Sequence, residues 1–192
     1  MMWMWFGLAV AQEPYSPELP NEERERFFMP AVEGGVLFSA DPDLGPGLTF
    51  RTALDWRLRR IRAPFLRLSY DATSAPFVQR GVLGAGSLTS DLSTDDVVLG
   101  GGFRMGPRAL QVTATMQGGV QIASIPTIET QGKDLVIGQR SEVYGLFVAG
   151  LGLEWYFDDD AALTVEGTGR ISSRRGLRGI AGGVTVGVTT AL

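Results

Sequence analysis

Arg51, Asp55, Arg67 and Asp71 are charged residues at even spacing, four apart within two neighbouring segments. Arg104, Glu154, Glu166 and Arg170 continue the same residue types farther along. Guanidinium and carboxylate groups at such spacing can form ion pairs, with bidentate geometry where the fork of an arginine meets a carboxylate. They do not make a general acid–base site. The chain has no histidine, which removes the commonest general base, the commonest metal ligand and the simplest pH switch. It also has no cysteine, so disulfides and thiolate metal sites are excluded. Two acidic pairs, Asp41 with Asp43 and Asp95 with Asp96, stand in turn-rich sequence and read as solvated loop carboxylates. No cofactor, metal or catalytic cluster emerges, and the expectation is a non-enzymatic protein.

The segment from Leu48 to Arg59 positions the first of these charges. Its even positions (Leu48, Phe50, Thr52, Leu54, Trp56, Leu58) are apolar or nearly so, and its odd positions are small, polar or charged. Side chains alternate faces along a strand, so this is a β-strand with one greasy and one charged side. The pattern recurs over 63–73, 96–105, 109–123, 140–157 and 162–172, with a shorter strand over 31–40 and a last one ending at Leu192. That gives eight strands over 31–192. Connections at 41–47, 74–95, 124–139 and 173–178 are the longer set, the third a loop or a protruding hairpin turning at Gln131-Gly132. Those near 59–62, 105–108 and 158–161 are tight.

Ahead of the strands, residues 1–11 form a short apolar run ending Ala9-Val10-Ala11, similar to a signal-peptidase site with cleavage before Gln12. Residues 12–30 carry Pro14, Pro17, Pro20 and Pro30 around a charged run, which suits a tail better than a strand. Asn21 could cap a short helix reaching Phe28, with Phe27 and Phe28 available to a partner.

The 192 residues, 44% hydrophobic with 26 glycines, suffice for one β-domain and a tail. No apolar run approaches the roughly 18 residues of a spanning helix, so a bilayer could be crossed only by a closed barrel. The net charge of −4 argues against non-specific nucleic-acid binding. A soluble lipocalin-like barrel would turn its apolar side inward. Here the polar faces are mostly Gly, Ala, Ser and Thr with arginines and acids, and the single lysine of the chain, Lys133, lies in a loop. A water-facing sheet would carry lysines, so the polar face reads as an enclosed, charge-plugged lumen. Trp56, Phe103, Trp155 and Phe157 fall beside tight turns on the apolar face, where an aromatic girdle belongs.

With these features the span 31–192 resembles the small eight-stranded bacterial outer-membrane barrels of the OmpA/OmpX-like class. The final segment Gly183 to Leu192 resembles the signal that the barrel-insertion machinery reads, departing from it in ending on Leu192. The resemblance implies an all-β, up-and-down transmembrane barrel in the outer membrane, monomeric, with periplasmic termini. It implies a structural or envelope role, or alternatively a surface-loop adhesin or narrow solute pore. Its partners would be outer-membrane lipids and lipopolysaccharide, whose phosphates Arg174, Arg175 and Arg178 could meet. Small barrel enzymes of similar scaffold rely on a histidine, which this chain lacks.

One register follows from the charges. A turn over 60–62 would oppose Arg51 to Asp71 and Asp55 to Arg67, and on the other face Trp56 to Leu66 and Leu54 to Leu68. A slip of two residues would break both charge matches.

Overall fold

The computed structural model describes residues 28–57, 64–82, 86–107, 109–131, 134–158, 160–174 and 179–192. The expected leader over 1–11, residues 12–27, the reversal over 59–62, and Arg175 and Arg178 lie outside them. Eight strands run in chain order: β1 (Phe28–Ser39), β2 (Gly47–Arg57), β3 (Pro64–Val82), β4 (Gly86–Met105), β5 (Leu110–Gln131), β6 (Asp134–Tyr156), β7 (Ala161–Ser172) and β8 (Ile180–Thr190). Each pairs antiparallel with its neighbours, and β8 closes on β1, so no sheet edge remains within the closed part.

The registers fix the geometry of closure. Crossing the barrel rung by rung runs Met29, Asp55, Arg67, Gly100, Gln117, Val148, Arg170, Ala181 and back to β1 at Ser39, ten residues beyond the start. Eight strands with that stagger are strongly tilted and enclose an interior that side chains must fill. The register between β2 and β3 opposes Arg51 to Asp71, Asp55 to Arg67, Trp56 to Leu66 and Leu54 to Leu68, as the charges and apolar partners require.

Solvation is inverted relative to a water-soluble barrel. Leu54, Leu68, Val112, Met116, Leu151 and Val186 all point outward and are exposed, while arginines and carboxylates occupy the interior. The one buried apolar cluster among the described residues is small: Val98, Leu146 and Val148. The lipocalin-like alternative requires the opposite arrangement.

Three boundaries differ from the sequence expectation. First, β1 starts at Phe28, so Phe28 to Pro30 are strand and neither tail nor helix. Pro30 lies at the end of β1, one residue before the Ala31 to Thr189 rung, and backbone pairing to the C-terminal segment resumes beyond it, with the Leu192 N–H donating to the Phe28 carbonyl at 2.9 Å. Its missing N–H therefore costs at most one bond near the end of the ladder, and its carbonyl accepts the Thr189 hydroxyl at 3.1 Å. Phe28 stacks on Trp56, with ring centroids 6.1 Å apart.

Second, 74–95 is not a loop. β3 and β4 stay paired from Ser74 opposite Ser93 up to Val82 opposite Gly86. Third, 124–139 is the hairpin form: β5 and β6 pair as far as Gln131 opposite Asp134. The asymmetry between the two ends of the barrel is thus carried by long hairpins, with strands of 19 to 23 residues against 11 or 12 elsewhere. The β1–β2 connection joins this wall. Gly45 N–H donates to the Pro76 carbonyl and Val78 N–H to the Asp43 carbonyl, both at 2.8 Å. At the opposite end Gly106 makes the β4–β5 turn with a φ of 129°, a conformation that favours glycine.

Candidate functional site

Period-two alternation in β1 to β4, β6 and β7 places ten charged side chains inside the barrel, all buried: Glu33, Arg51, Asp55, Arg67, Asp71, Asp96, Arg104, Glu154, Glu166 and Arg170. They form one continuous chain of ion pairs. Arg170 bonds Asp96 at 2.8 Å and Asp71 at 2.7 Å. Asp71 is held in turn by Arg51 Nε at 2.6 Å. Arg51 reaches Glu166 at 2.9 Å and Glu33 at 3.4 Å. The second oxygen of Glu166 receives Arg67 at 2.5 Å. Arg67 grips Asp55 through Nε at 2.6 Å and Nη2 at 3.0 Å. Asp55 passes to Arg104 at 2.8 Å, and Arg104 to Glu154 at 2.7 Å. Tyr156, at the mouth beside the tight turns, donates to Glu154 at 2.9 Å, and Arg57 donates to Tyr156 at 3.4 Å.

The chain therefore runs along the lumen and braces it from side to side. Glu166 on β7 links to Arg51 on β2 and Arg67 on β3, while Asp55 on β2 links to Arg104 on β4. The glycines opposite make the room. A Cβ on Gly150 would lie against Thr115 Oγ1 and Glu166 Oε1, and one on Gly102 would strike the ring of Phe65. Phe65 is buried, with the guanidinium carbons of Arg104 and Arg67 4.6 and 5.4 Å from its centroid, a cation–π arrangement. Gly150→Val is accordingly expected to displace Glu166 and lower the urea midpoint of the folded barrel. The same change at Gly169, where a Cβ meets nothing within 4 Å, is expected to leave it unaltered. Equal midpoints for the two variants would contradict the packing described.

Three residues of the lumen were not assigned to it from the sequence. Glu33 shares its parity with Ala31 and Gly35, opposite Val32, so alternation alone places it inside. There it takes the Thr185 hydroxyl at 2.6 Å as well as Arg51. Phe65 was hidden by its apolar character. Asp96 was grouped with Asp95 as a loop acid. Instead the two are successive strand residues on opposite faces, Asp96 inside and Asp95 outside, where Asp95 accepts the Tyr70 hydroxyl at 2.5 Å. Asp41 is buried in the β1–β2 connection, where its carboxylate accepts the Asp43 N–H at 3.0 Å in a local Asx turn. Among the described residues no group of three Asp, Glu, His or Cys could hold a metal ion.

The remaining candidates sit on the outside or at the rims. Trp56, Phe103, Trp155 and Phe157 are outward and exposed, at the end of the tight turns. Arg174 lies over the Tyr144 ring at 5.9 Å, near the Arg140 to Glu142 pair at 3.1 Å. Tyr144 donates its hydroxyl to Glu142.

No family model matches the chain and no curated protein matches it. Solved structures do. Neisserial surface protein A superposes with a TM-score of 0.56 at 10% identity, over 86% of this chain and 96% of its own. The fold is that of the small eight-stranded outer-membrane barrels. Ail, the attachment invasion locus protein of Yersinia pestis, solved in complex with the heparin analogue sucrose octasulfate, superposes at 0.53 with 11% identity, over 86% and 97%. The N-terminal barrel domain of Pseudomonas aeruginosa OprF gives 0.48 at 13% identity, over 87% and 98%. At these identities the outer-membrane barrel fold is what is shared.

Proposed function

We propose that the protein is an integral outer-membrane barrel with a fixed, ion-paired plug, serving a structural role in the envelope and not catalysing a reaction. The observation that carries this reading is the inverted solvation: a continuous apolar exterior around ten buried charges. In water such an exterior would aggregate; in a bilayer it is the required solvent contact. On this reading Trp56, Phe103, Trp155 and Phe157 form the girdle at the periplasmic interface, joined by Phe28. The termini of the barrel lie on that side, and the long hairpins face outward. Arg174, with Arg175 and Arg178, would meet lipopolysaccharide phosphates, and the barrel-insertion machinery would read β8. The barrel would act as a monomer and take no cofactor and no nucleic acid.

The experiment is cell fractionation combined with heat-modifiable gel mobility and planar-bilayer conductance. The expected outcome is an outer-membrane band whose mobility changes on boiling, without stepwise conductance. Recovery in the soluble fraction would refute the membrane reading, and discrete conductance steps would refute the plug.

The long hairpins favour a second reading, a surface-binding barrel. Pairing between β4 and β5 ends at Ser93 opposite Ser124, beyond which the β3–β4 and β5–β6 ribbons rise separately. Two such ribbons on a rigid scaffold suit recognition. Loss of adhesion on shortening both ribbons, with the heat-modifiable shift intact, would select this role over a purely structural one.

A further inference from the structure

At the end of the barrel that carries the long hairpins, the outward face changes character on one side only. Ser74, Ser93, Ser124 and Ser141 form a single rung across β3, β4, β5 and β6. They share parity with Leu68, Leu99, Met116 and Leu151, so the row points outward. The rung directly beneath runs Ala72, Asp95, Ile122 and Val143. It sets one carboxylate into the apolar exterior, beside the exposed Ile122. Tyr70, also outward, donates its hydroxyl to Asp95 Oδ1 at 2.5 Å and fixes the carboxylate there. On β1, β2, β7 and β8 the outward strand residues nearest this end are Phe38, Leu48, Ile171 and Ile180, all apolar and exposed. The polar row therefore belongs to one wall of the barrel. An ionisable side chain set into a lipid-facing surface is costly and marks a site of function.

We propose that this wall docks the sugar headgroup of a glycolipid in the surrounding leaflet, with the acyl chains lying on Val97, Leu99, Val120 and Ile122. The inference rests on the membrane reading above. Its occupant follows from position and charge. The row continues the apolar belt, so its ligand is an amphiphile whose polar head stands at the depth of the serines. The outward neighbours of Asp95 on its own and adjoining strands are Ser93, Val97, Ala72 and Ile122, none of them a cation. A carboxylate so placed repels a phosphate, whereas it accepts hydrogen bonds from sugar hydroxyls. Tyr70 takes one of its roughly four acceptor positions and leaves others for the ligand. Serine hydroxyls both donate and accept, as a sugar's own hydroxyls require. The row spans three inter-strand steps, roughly 14 Å, enough for more than one sugar ring.

The test is urea unfolding of the full chain in phosphatidylcholine vesicles containing increasing fractions of digalactosyl diacylglycerol. A ligand of the folded barrel raises the midpoint saturably, and the half-point gives its apparent affinity. The wild type and Phe38→Ala, on the opposite wall, are expected to show the rise. Asp95→Ala, and Ser93→Ala combined with Ser124→Ala, are each expected to weaken the apparent affinity about tenfold, as for one charge-assisted or two neutral hydrogen bonds. If Asp95→Ala does not refold, the serine pair decides alone. A wild-type barrel that inserts and shifts on boiling, yet keeps one midpoint at every glycolipid fraction, overturns this proposal and leaves the membrane reading standing. An unchanged response in the serine pair also overturns it. A rise seen instead with phosphatidylglycerol and magnesium, and reversed by chelation, overturns it by assigning the wall to a cation-bridged phosphate. A barrel that enters neither kind of vesicle refutes the membrane reading, and the proposal falls with it.

Discussion

Arginine at Met116 is expected to destabilise the barrel in lipid by about 2–4 kcal/mol, the cost of a guanidinium at the midplane of a membrane barrel. Met116 is 64% exposed and lies midway along the outward face of β5, between Leu110 beside the girdle and Ile122 near the hairpins. Its cross-strand neighbours are Gly101 and Ala149, which offer no polar partner to shield a charge. Val112 lies next to the Leu110 to Trp155 rung, close to the girdle. An arginine there can snorkel to the interface, so its cost should fall toward about 0–1 kcal/mol. Urea unfolding of both variants in lipid vesicles measures the contrast. Equal small effects would mean that this face does not meet hydrocarbon, and the bilayer reading would fail with them.

The depth dependence of that prediction also explains what was legible in the sequence. Inside the apolar band each strand must be greasy on one face, so alternation marks every segment and assigns sides to Leu54, Leu68 and Val186. The β2–β3 register was legible for a related reason: Arg51 and Asp55 meet Asp71 and Arg67 at a constant index sum, and Trp56 and Leu54 agree from the other face. Beyond the band nothing compels either face to be apolar. The backbone ladder continues through Ser74 to Val82 and Gly86 to Asp95, but the hydropathy signal stops, and a paired ribbon reads as a Ser/Thr-rich loop. Asp96 was misplaced for the same reason, because it stands where that signal begins. The contacts of Glu166 with Arg51 and Arg67 were beyond reach, since they depend on the stagger that sets which residues share a depth across the lumen.

Those cross-lumen contacts set the second large effect. Arg51→Met is expected to cost about 3–5 kcal/mol, as when one partner of a buried ion pair is removed. The loss is not uniform among its three carboxylates. Asp71 keeps Arg170 and Glu166 keeps Arg67. Glu33 keeps only hydroxyl donors, Thr185 at 2.6 Å and Thr164 at 3.4 Å, and is left without a guanidinium among the described residues. Adding Glu33→Gln to the Arg51→Met barrel should therefore recover part of the stability, because an amide carries no stranded charge. Glu33→Gln in the wild-type barrel should instead be mildly destabilising or neutral, since it weakens a long 3.4 Å contact to Arg51. A double-mutant cycle by urea unfolding gives the coupling directly. Additive effects of the two substitutions, or a loss below about 1 kcal/mol for Arg51→Met, would mean that the charges are screened as at a wet surface, and the lumen would then be hydrated and open, not plugged.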